Sequence, residues 1–179
     1  MIFWFLCGEQ ITTAKLCMCL QRLGLKAVPY AGWQVPIITD SKFGDAAIKY
    51  IGRANIMREL GNGNIVVVAG FQGVDEENRI TTLGRGGSDT TAVALAATLN
   101  ANRCDIYTDV DGVYSADPHR RRDAVKFEKI SYDNMLALAN NGAKVLHNKC
   151  VELGKQYHVP IVVKSTFKQE QTGTLVTDI

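Results

Sequence analysis

The stretch Thr81-Thr82-Leu83-Gly84-Arg85-Gly86-Gly87-Ser88-Asp89-Thr90-Thr91, followed by the Ala-rich residues 92–99, constrains this chain more than any other. Three glycines in the four positions 84–87 let a backbone approach a ligand with no Cβ in the way. Ser88, Asp89 and Thr90 are good helix starters, and residues 92–99 form a strong helix sequence. The reading is a Gly-rich loop that opens a helix. Free N–H groups at a helix N-terminus, with the helix dipole behind them, attract an anion. Arg85 adds a fixed positive fork suited to a carboxylate or phosphate. A surface turn before a capped helix would have the same local sequence, so the meaning of the stretch depends on what accompanies it.

A chain of 179 residues is expected to form one domain with a real core. Its net charge of +2 argues against an extended nucleic-acid or membrane surface. No apolar run approaches the length of a membrane span. Residues 1–6 are apolar, but too short for a signal-peptide core and without a basic start. Of the five cysteines, Cys17 and Cys19 sit in a helical pattern, and Cys7, Cys104 and Cys150 are scattered. There is no CxxC and no Cys/His cluster with zinc spacing, so no metal site is expected. Reduced thiols that pack, in a cytoplasmic protein, are the expectation.

Taken in order, residues 2–6 read either as a strand or as the end of a longer helix. Gly8-Glu9-Gln10 leads into a helix over 11–23, where Leu16, Leu20 and Leu23 recur at helical spacing and Gly24 is the C-cap. Short strands are expected over 26–30 and at Ile37-Ile38, and a helix over 54–60. Ile65-Val66-Val67-Val68-Ala69 is the clearest strand, and its unbroken apolar run predicts cover on both faces. Gly70-Phe71-Gln72-Gly73 follows at its C-terminal end, where ligands sit in open α/β sheets. A strand over 104–107 runs into Thr108-Asp109-Val110-Asp111-Gly112-Val113-Tyr114. Ser131 caps a helix to Asn140, a second helix covers 145–157, a strand covers 159–163, and 173–177 is extended. Arg120-Arg121-Arg122 reads as a solvated loop. Strands alternating with helices give an α/β class with a mostly parallel sheet.

Three strand-end motifs stand together, and Gly142-Ala143-Lys144-Val145-Leu146-His147 comes after them. This set resembles the aspartokinases of the amino-acid kinase family, over nearly the whole chain from about Gly8 to Leu175. Sister families (glutamate, acetylglutamate, carbamate and uridylate kinases) share the fold but not this set. The resemblance implies a three-layer α/β sandwich with a mostly parallel central sheet. It implies phosphorylation of the β-carboxylate of L-aspartate by MgATP, with Mg2+ held through the nucleotide phosphates. It also implies a homodimer or association with other aspartokinase chains. Glu9 resembles the acidic residue that holds the substrate's amino group. Arg85 resembles the substrate-carboxylate clamp, and Gly86, Gly87 and Ser88 line the same pocket. Asp89 resembles the carboxylate that orients the catalytic lysines. Thr108, Asp109, Tyr114, Asp117 and Pro118 resemble nucleotide contacts, and Lys144 the lysine beside the transferring phosphate and nucleotide. Read singly, Glu9 could be a solvated first-turn residue, Asp109 and Asp111 turn-formers, Lys144 a surface lysine and Tyr114 plain core.

The family's opening strand, ending in Lys-Phe/Tyr-Gly-Gly, has no counterpart in these 179 residues, and no regulatory ACT domain is expected with them. The expectation is therefore a partial amino-acid kinase domain over 1–179, truncated at its N-terminus. It should show little or no activity alone and an unpaired strand edge where the opening strand would lie. His119 stands where the family usually has Arg, and Asn148-Lys149 where Pro-Arg is common. A non-catalytic fragment that keeps the aspartate and nucleotide pockets is the alternative, and a sister kinase acting on another acid is the third reading.

Overall fold

The computed structural model describes residues 2–118, 120–143, 145–168 and 170–179, and only the backbone of residues 2 and 3. The chain divides into two compact units, Met1–Thr91 and Ala92–Ile179.

Unit 1 begins with helix α1, Ile2–Arg22, so residues 2–6 are helical rather than extended. Leu6, Thr13 and Cys17 are its buried residues, one narrow stripe at helical spacing. Gly8 and Glu9 lie inside this helix and not before it, because one glycine costs a helix only about 1 kcal/mol relative to Ala. The end is a Schellman closure in which Leu25 N–H reaches Leu20 O at 3.0 Å and Gly24 N–H reaches Gln21 O at 3.0 Å. Strand β1 is Ala27–Tyr30, followed by a 3-10 turn at Gly32–Gln34, β2 at Ile37–Thr39 and β3 at Ile48–Ile51. Helix α2 is Ala54–Gly61, then come β4 (Ile65–Val68), β5 (Gln72–Val74) and β6 (Ile80–Thr82). Helix α3, Gly87–Thr98, contains the unit boundary.

Strands β1 and β4 pair in parallel as a two-stranded sheet. The second sheet of unit 1 has the order β3-β2-β5-β6, with β2–β5 parallel and the outer pairs antiparallel. The cover expected on both faces of β4 is not found. Ile65 is 40% exposed and Val66, Val67 and Val68 are half-buried. The reason is the sheet itself: among the described strands β4 pairs with β1 alone, so its other edge has no ladder.

Unit 2 holds the rest of α3, β7 (Cys104–Thr108), β8 (Lys129–Ser131), α4 (Tyr132–Asn140), α5 (Asn148–Gln156), β9 (Ile161–Ser165) and β10 (Thr174–Thr177). The sheet order is β7-β9-β10-β8, with β7–β9 and β8–β10 parallel and β9–β10 antiparallel. Ile106, Ile161, Val163 and Val176 of the sheet share one core with Val93 of α3, Met135 of α4 and Val151 of α5. Tyr132 enters that core because its hydroxyl donates to Val159 O at 2.7 Å, leaving no buried polar atom unpaired there. Ser131 caps α4 as expected, accepting Asn134 N–H at 3.2 Å. Helix α5 starts at Asn148, not 145. His147 is its N-cap, with Nδ1 accepting from Lys149 N–H, a role usually held by Ser, Thr, Asp or Asn.

Four parallel ladders (β1–β4, β2–β5, β7–β9, β8–β10) stand against three antiparallel ones (β2–β3, β5–β6, β9–β10). The fold is α/β and parallel-rich, with no closed barrel among the described strands.

Candidate functional site

Unit 1 brings two of the sequence motifs into contact. After β4 the backbone turns at Phe71, a non-glycine residue with φ of 71°. That conformation is uncommon for a bulky side chain and persists only where its surroundings fix it. Here Phe71 N–H donates to Thr91 Oγ1 at 3.1 Å, and Phe71 O accepts Leu83 N–H at 3.0 Å. Thr91 Oγ1 in turn donates to Gly87 O at 2.8 Å. The hairpin of β5 and β6 then returns the chain to the Gly-rich loop. A Cβ on Gly87 would lie 2.9 Å from the Phe71 ring, which is why the loop needs glycine there. Gly84 and Gly86 adopt φ of 77° and 70°, the left-handed conformations that a side chain would disfavour. Helix α3 starts at Gly87, so Ser88, Asp89 and Thr90 form its first turn rather than its cap.

Glu9, from α1, meets this first turn. The Ser88 hydroxyl donates to Glu9 Oε1 at 3.2 Å, across 79 positions of sequence. Glu9 is half-buried and lies within the helix, not in a solvated first turn. One residue further, Gln10 Nε2 donates to Gln72 Oε1 at 3.2 Å, and Gln72 Nε2 reaches Gly70 O at 3.4 Å. Gln72 is fully buried. The sequence motif contained Gln72, but nothing in its type or spacing pointed to a fixing role for it or for Gln10. Arg85 is exposed and makes no ion pair or hydrogen bond among the described residues, so its guanidinium is open to an incoming anion. Gly86 and Asp89 are half-buried and Gly87 buried.

Unit 2 carries the remaining predicted residues. Thr108 ends β7 and its hydroxyl donates to Asp109 Oδ1 at 3.0 Å. Tyr114 donates its hydroxyl to Asp111 Oδ1 at 3.0 Å. Asp111 also receives Lys168 Nζ at 3.4 Å. Burial works against the charged form of Asp111, but the Tyr114 hydroxyl, Lys126 and Lys168 outweigh it and hold the carboxyl below its usual range. Burial, then the Asp111 bond and charge, push the Tyr114 phenol up. Asp111 is thus more than a turn-former: it fixes the Tyr114 hydroxyl. Asp117 pairs with Arg120 at 3.4 Å, and Asp109, Asp117 and Pro118 are exposed. Lys144 and His119 lie outside the described residues. A cleft in unit 2 between Phe127, Ser131, Asn134 and Leu138 includes none of the predicted nucleotide contacts.

Among the described residues, no group of three or more His, Cys, Asp or Glu side chains is placed to hold a metal ion. Among the described residues, no helix is long and apolar enough to cross a membrane. Cys17, Cys104 and Cys150 are buried, and Cys7 and Cys19 are exposed.

In unit 1 a Gly-rich loop opens a helix and is joined to a strand-end turn, within a parallel-rich α/β fold. The model of the amino acid kinase family matches residues 7–165, and the chain belongs to that family. It is 53% identical over 171 residues to an aspartokinase of Bacillus sp. (strain MGA3), covering 96% of this chain and 41% of that protein. It is 54% identical to aspartokinase 2 of Bacillus subtilis (strain 168), covering 96% of this chain and 42% of that protein. The chain thus spans about two fifths of the curated relatives it matches. Among solved structures, it is similar to E. coli aspartokinase III in complex with aspartate and ADP. The TM-score is 0.88 at 33% identity, over 96% of this chain and 39% of the other. A UMP kinase from Bacillus anthracis shares the fold at a TM-score of 0.65 and 21% identity, over 94% of this chain and 65% of the other.

Proposed function

We propose that this chain is the kinase-domain portion of an aspartokinase. The reaction is transfer of the γ-phosphoryl group of MgATP to the β-carboxylate of L-aspartate. A carboxylate oxygen forms the new P–O bond, the bond between phosphorus and the β,γ-bridging oxygen breaks, and ADP leaves with 4-phospho-L-aspartate as the acceptor product. This step feeds lysine, threonine and methionine synthesis in the cytoplasm. The protein acts as a homodimer.

One observation carries the reading: a half-buried carboxylate, Glu9, is held by Ser88 on the same loop and helix start that presents the unpaired Arg85. An α-amino acid offers an ammonium and a carboxylate, and this pair offers one group of opposite charge for each. Glu9 holds the ammonium, Arg85 clamps the α-carboxylate, and Gly86, Gly87 and Ser88 line the pocket. Asp89 orients lysine, and Lys144 offsets charge on the moving phosphate. Such transfer is mostly positioning and electrostatic stabilisation. Thr108, Asp109, Tyr114, Asp117 and Pro118 contact the nucleotide, with the Tyr114 hydroxyl set by Asp111. Mg2+ arrives with the nucleotide phosphates, and no step here passes through a metal held by the protein.

The test is calorimetric titration of this chain with L-aspartate, L-glutamate and UMP. Binding of L-aspartate in preference to the other two is expected. Preference for UMP or L-glutamate, or no binding of L-aspartate, would overturn the reading.

A further inference from the structure

Beyond the substrate contacts lies an ion pair between a buried carboxylate, Asp75, and an exposed guanidinium, Arg79. Asp75, at the tip of the β5–β6 hairpin, is 1% exposed. Its Oδ1 accepts the N–H groups of Glu77 at 3.0 Å and Arg79 at 2.9 Å, and its Oδ2 accepts Arg79 Nε at 2.8 Å. Burial alone would raise the Asp75 carboxyl. The Arg79 guanidinium, the two N–H groups and the Ser41 hydroxyl more than offset this and hold it at about 2. This much forms the hairpin. The guanidinium, however, reaches further. Arg79 Nη2 donates to Ser41 Oγ at 3.4 Å, and Arg79 Cζ lies 5.2 Å from the centroid of the Phe43 ring.

Ser41 and Phe43 belong to the loop 40–47, which is closed on itself. Asp40 Oδ1 accepts from Lys42 and Ala47 N–H, each at 3.1 Å, and Asp40 N–H reaches Ala47 O at 3.0 Å. The far side of the loop rests on the Gly-rich stretch. Ala46 N–H donates to Thr82 O at 2.9 Å. A Cβ on Gly84 would lie 2.7 Å from Asp45 Oδ1 and 3.0 Å from Gly44 O. The 44–45 turn therefore lies close against Gly84, the residue immediately before Arg85, leaving no room for a side chain there.

We infer that Arg79 is a positioning residue: through the loop 40–47 it holds the Gly-rich loop, and with it Arg85, in place for the substrate carboxylate. The last clause rests on the proposed role of Arg85; the mechanical link does not. Arg79 touches no substrate. Its planar fork grips Asp75 with one edge while its face lies on Phe43, a geometry that lysine cannot copy.

Amide hydrogen exchange on this chain and its Arg79→Met, Arg79→Lys and Phe43→Ala variants separates the possibilities, with L-aspartate titration as a second arm. Exchange at residues 84–88 is expected to speed up about fivefold or more in Arg79→Met and Phe43→Ala, as for a loop at the low end of local stability. Arg79→Lys should fall between. In Phe43→Ala the amides of Glu77 and Arg79 stay protected, because Asp75 still holds them. Exchange in β7 and β9 stays unchanged, and L-aspartate affinity falls by a similar factor. Unchanged exchange at 84–88, or exchange raised equally through β7 and β9, would overturn the positioning role. If the unaltered chain does not bind L-aspartate, the functional reading fails, and the exchange arm alone decides whether Arg79 holds the loop.

Discussion

Unit 1 assembles its candidate residues across the sequence, whereas unit 2 presents its described ones as one local run. Glu9 and Ser88 meet from elements 79 positions apart, and a second bond, Gln10 to Gln72, pins the same turn of α1. Thr108 to Pro118 instead follow directly from the end of β7, a strand anchored in the apolar core by Cys104 and Ile106. Of these two polar pins of unit 1, the Gln10–Gln72 bond is partly buried and the Ser88–Glu9 bond is exposed. The core under unit 2 is broad and apolar. A site built on directional bonds loses its geometry when one bond is cut, while a loop carried by a packed strand tolerates the loss of a polar contact. Cutting a single polar bond should therefore disturb the site more sharply in unit 1 than in unit 2.

The largest effect is expected from Arg85→Ala. Loss of a charged partner for the substrate carboxylate should weaken L-aspartate binding by about 2–3 kcal/mol, the scale of a charge-assisted hydrogen bond. ADP affinity should not change. Paired titrations with the two ligands check this, and equal losses for both would erase the contrast between the units.

Gln72→Leu comes next. It removes the acceptor for Gln10 and a donor to Gly70 inside a fully buried position, at a cost of about 1–3 kcal/mol for the polar groups left unpaired. Denaturant unfolding gives the stability change, and L-aspartate titration should show a parallel loss of affinity. A stability loss with undiminished aspartate binding would mean that α1 keeps its place without this pair.

How much of this was readable in the sequence depends on distance along the chain. The Gly-rich loop opening α3, β7, and the Ser131 cap were legible because each is a local pattern. Arg85 was read as an anion fork and Ser88 as a helix starter from their own types, but the contact between Glu9 and Ser88 had no local signal. Strands β3, β5, β6 and β8, of three or four residues, are too short for periodicity to register. The fixing roles of Gln72 and Arg79 depend on partners from other elements, Gln10 and Phe43, and no local pattern encodes such pairs. The half-buried state of β4 was missed for a similar reason: an apolar run reports what a strand is able to bury, not how many neighbours it has. His147 capping α5 lay outside the usual capping residues.

The smallest predicted effect sharpens the contrast from the other side. Ser131→Ala removes the α4 cap and should cost about 1 kcal/mol of stability. Thermal unfolding followed with and without L-aspartate should show the same destabilisation in both, since the cap sits in unit 2 and serves only the fold. A change in aspartate affinity would contradict the division of roles.

The central claim is that Glu9 recognises the substrate's ammonium group. The most direct measurement is calorimetric titration of the unaltered chain and Glu9→Gln with L-aspartate and with succinate, which has both carboxylates but no ammonium. L-aspartate should bind the unaltered chain more tightly than succinate does. Glu9→Gln should weaken L-aspartate about tenfold or more, as for one charged hydrogen bond, and leave succinate unchanged. An equal effect on both ligands, or on neither, would contradict the account.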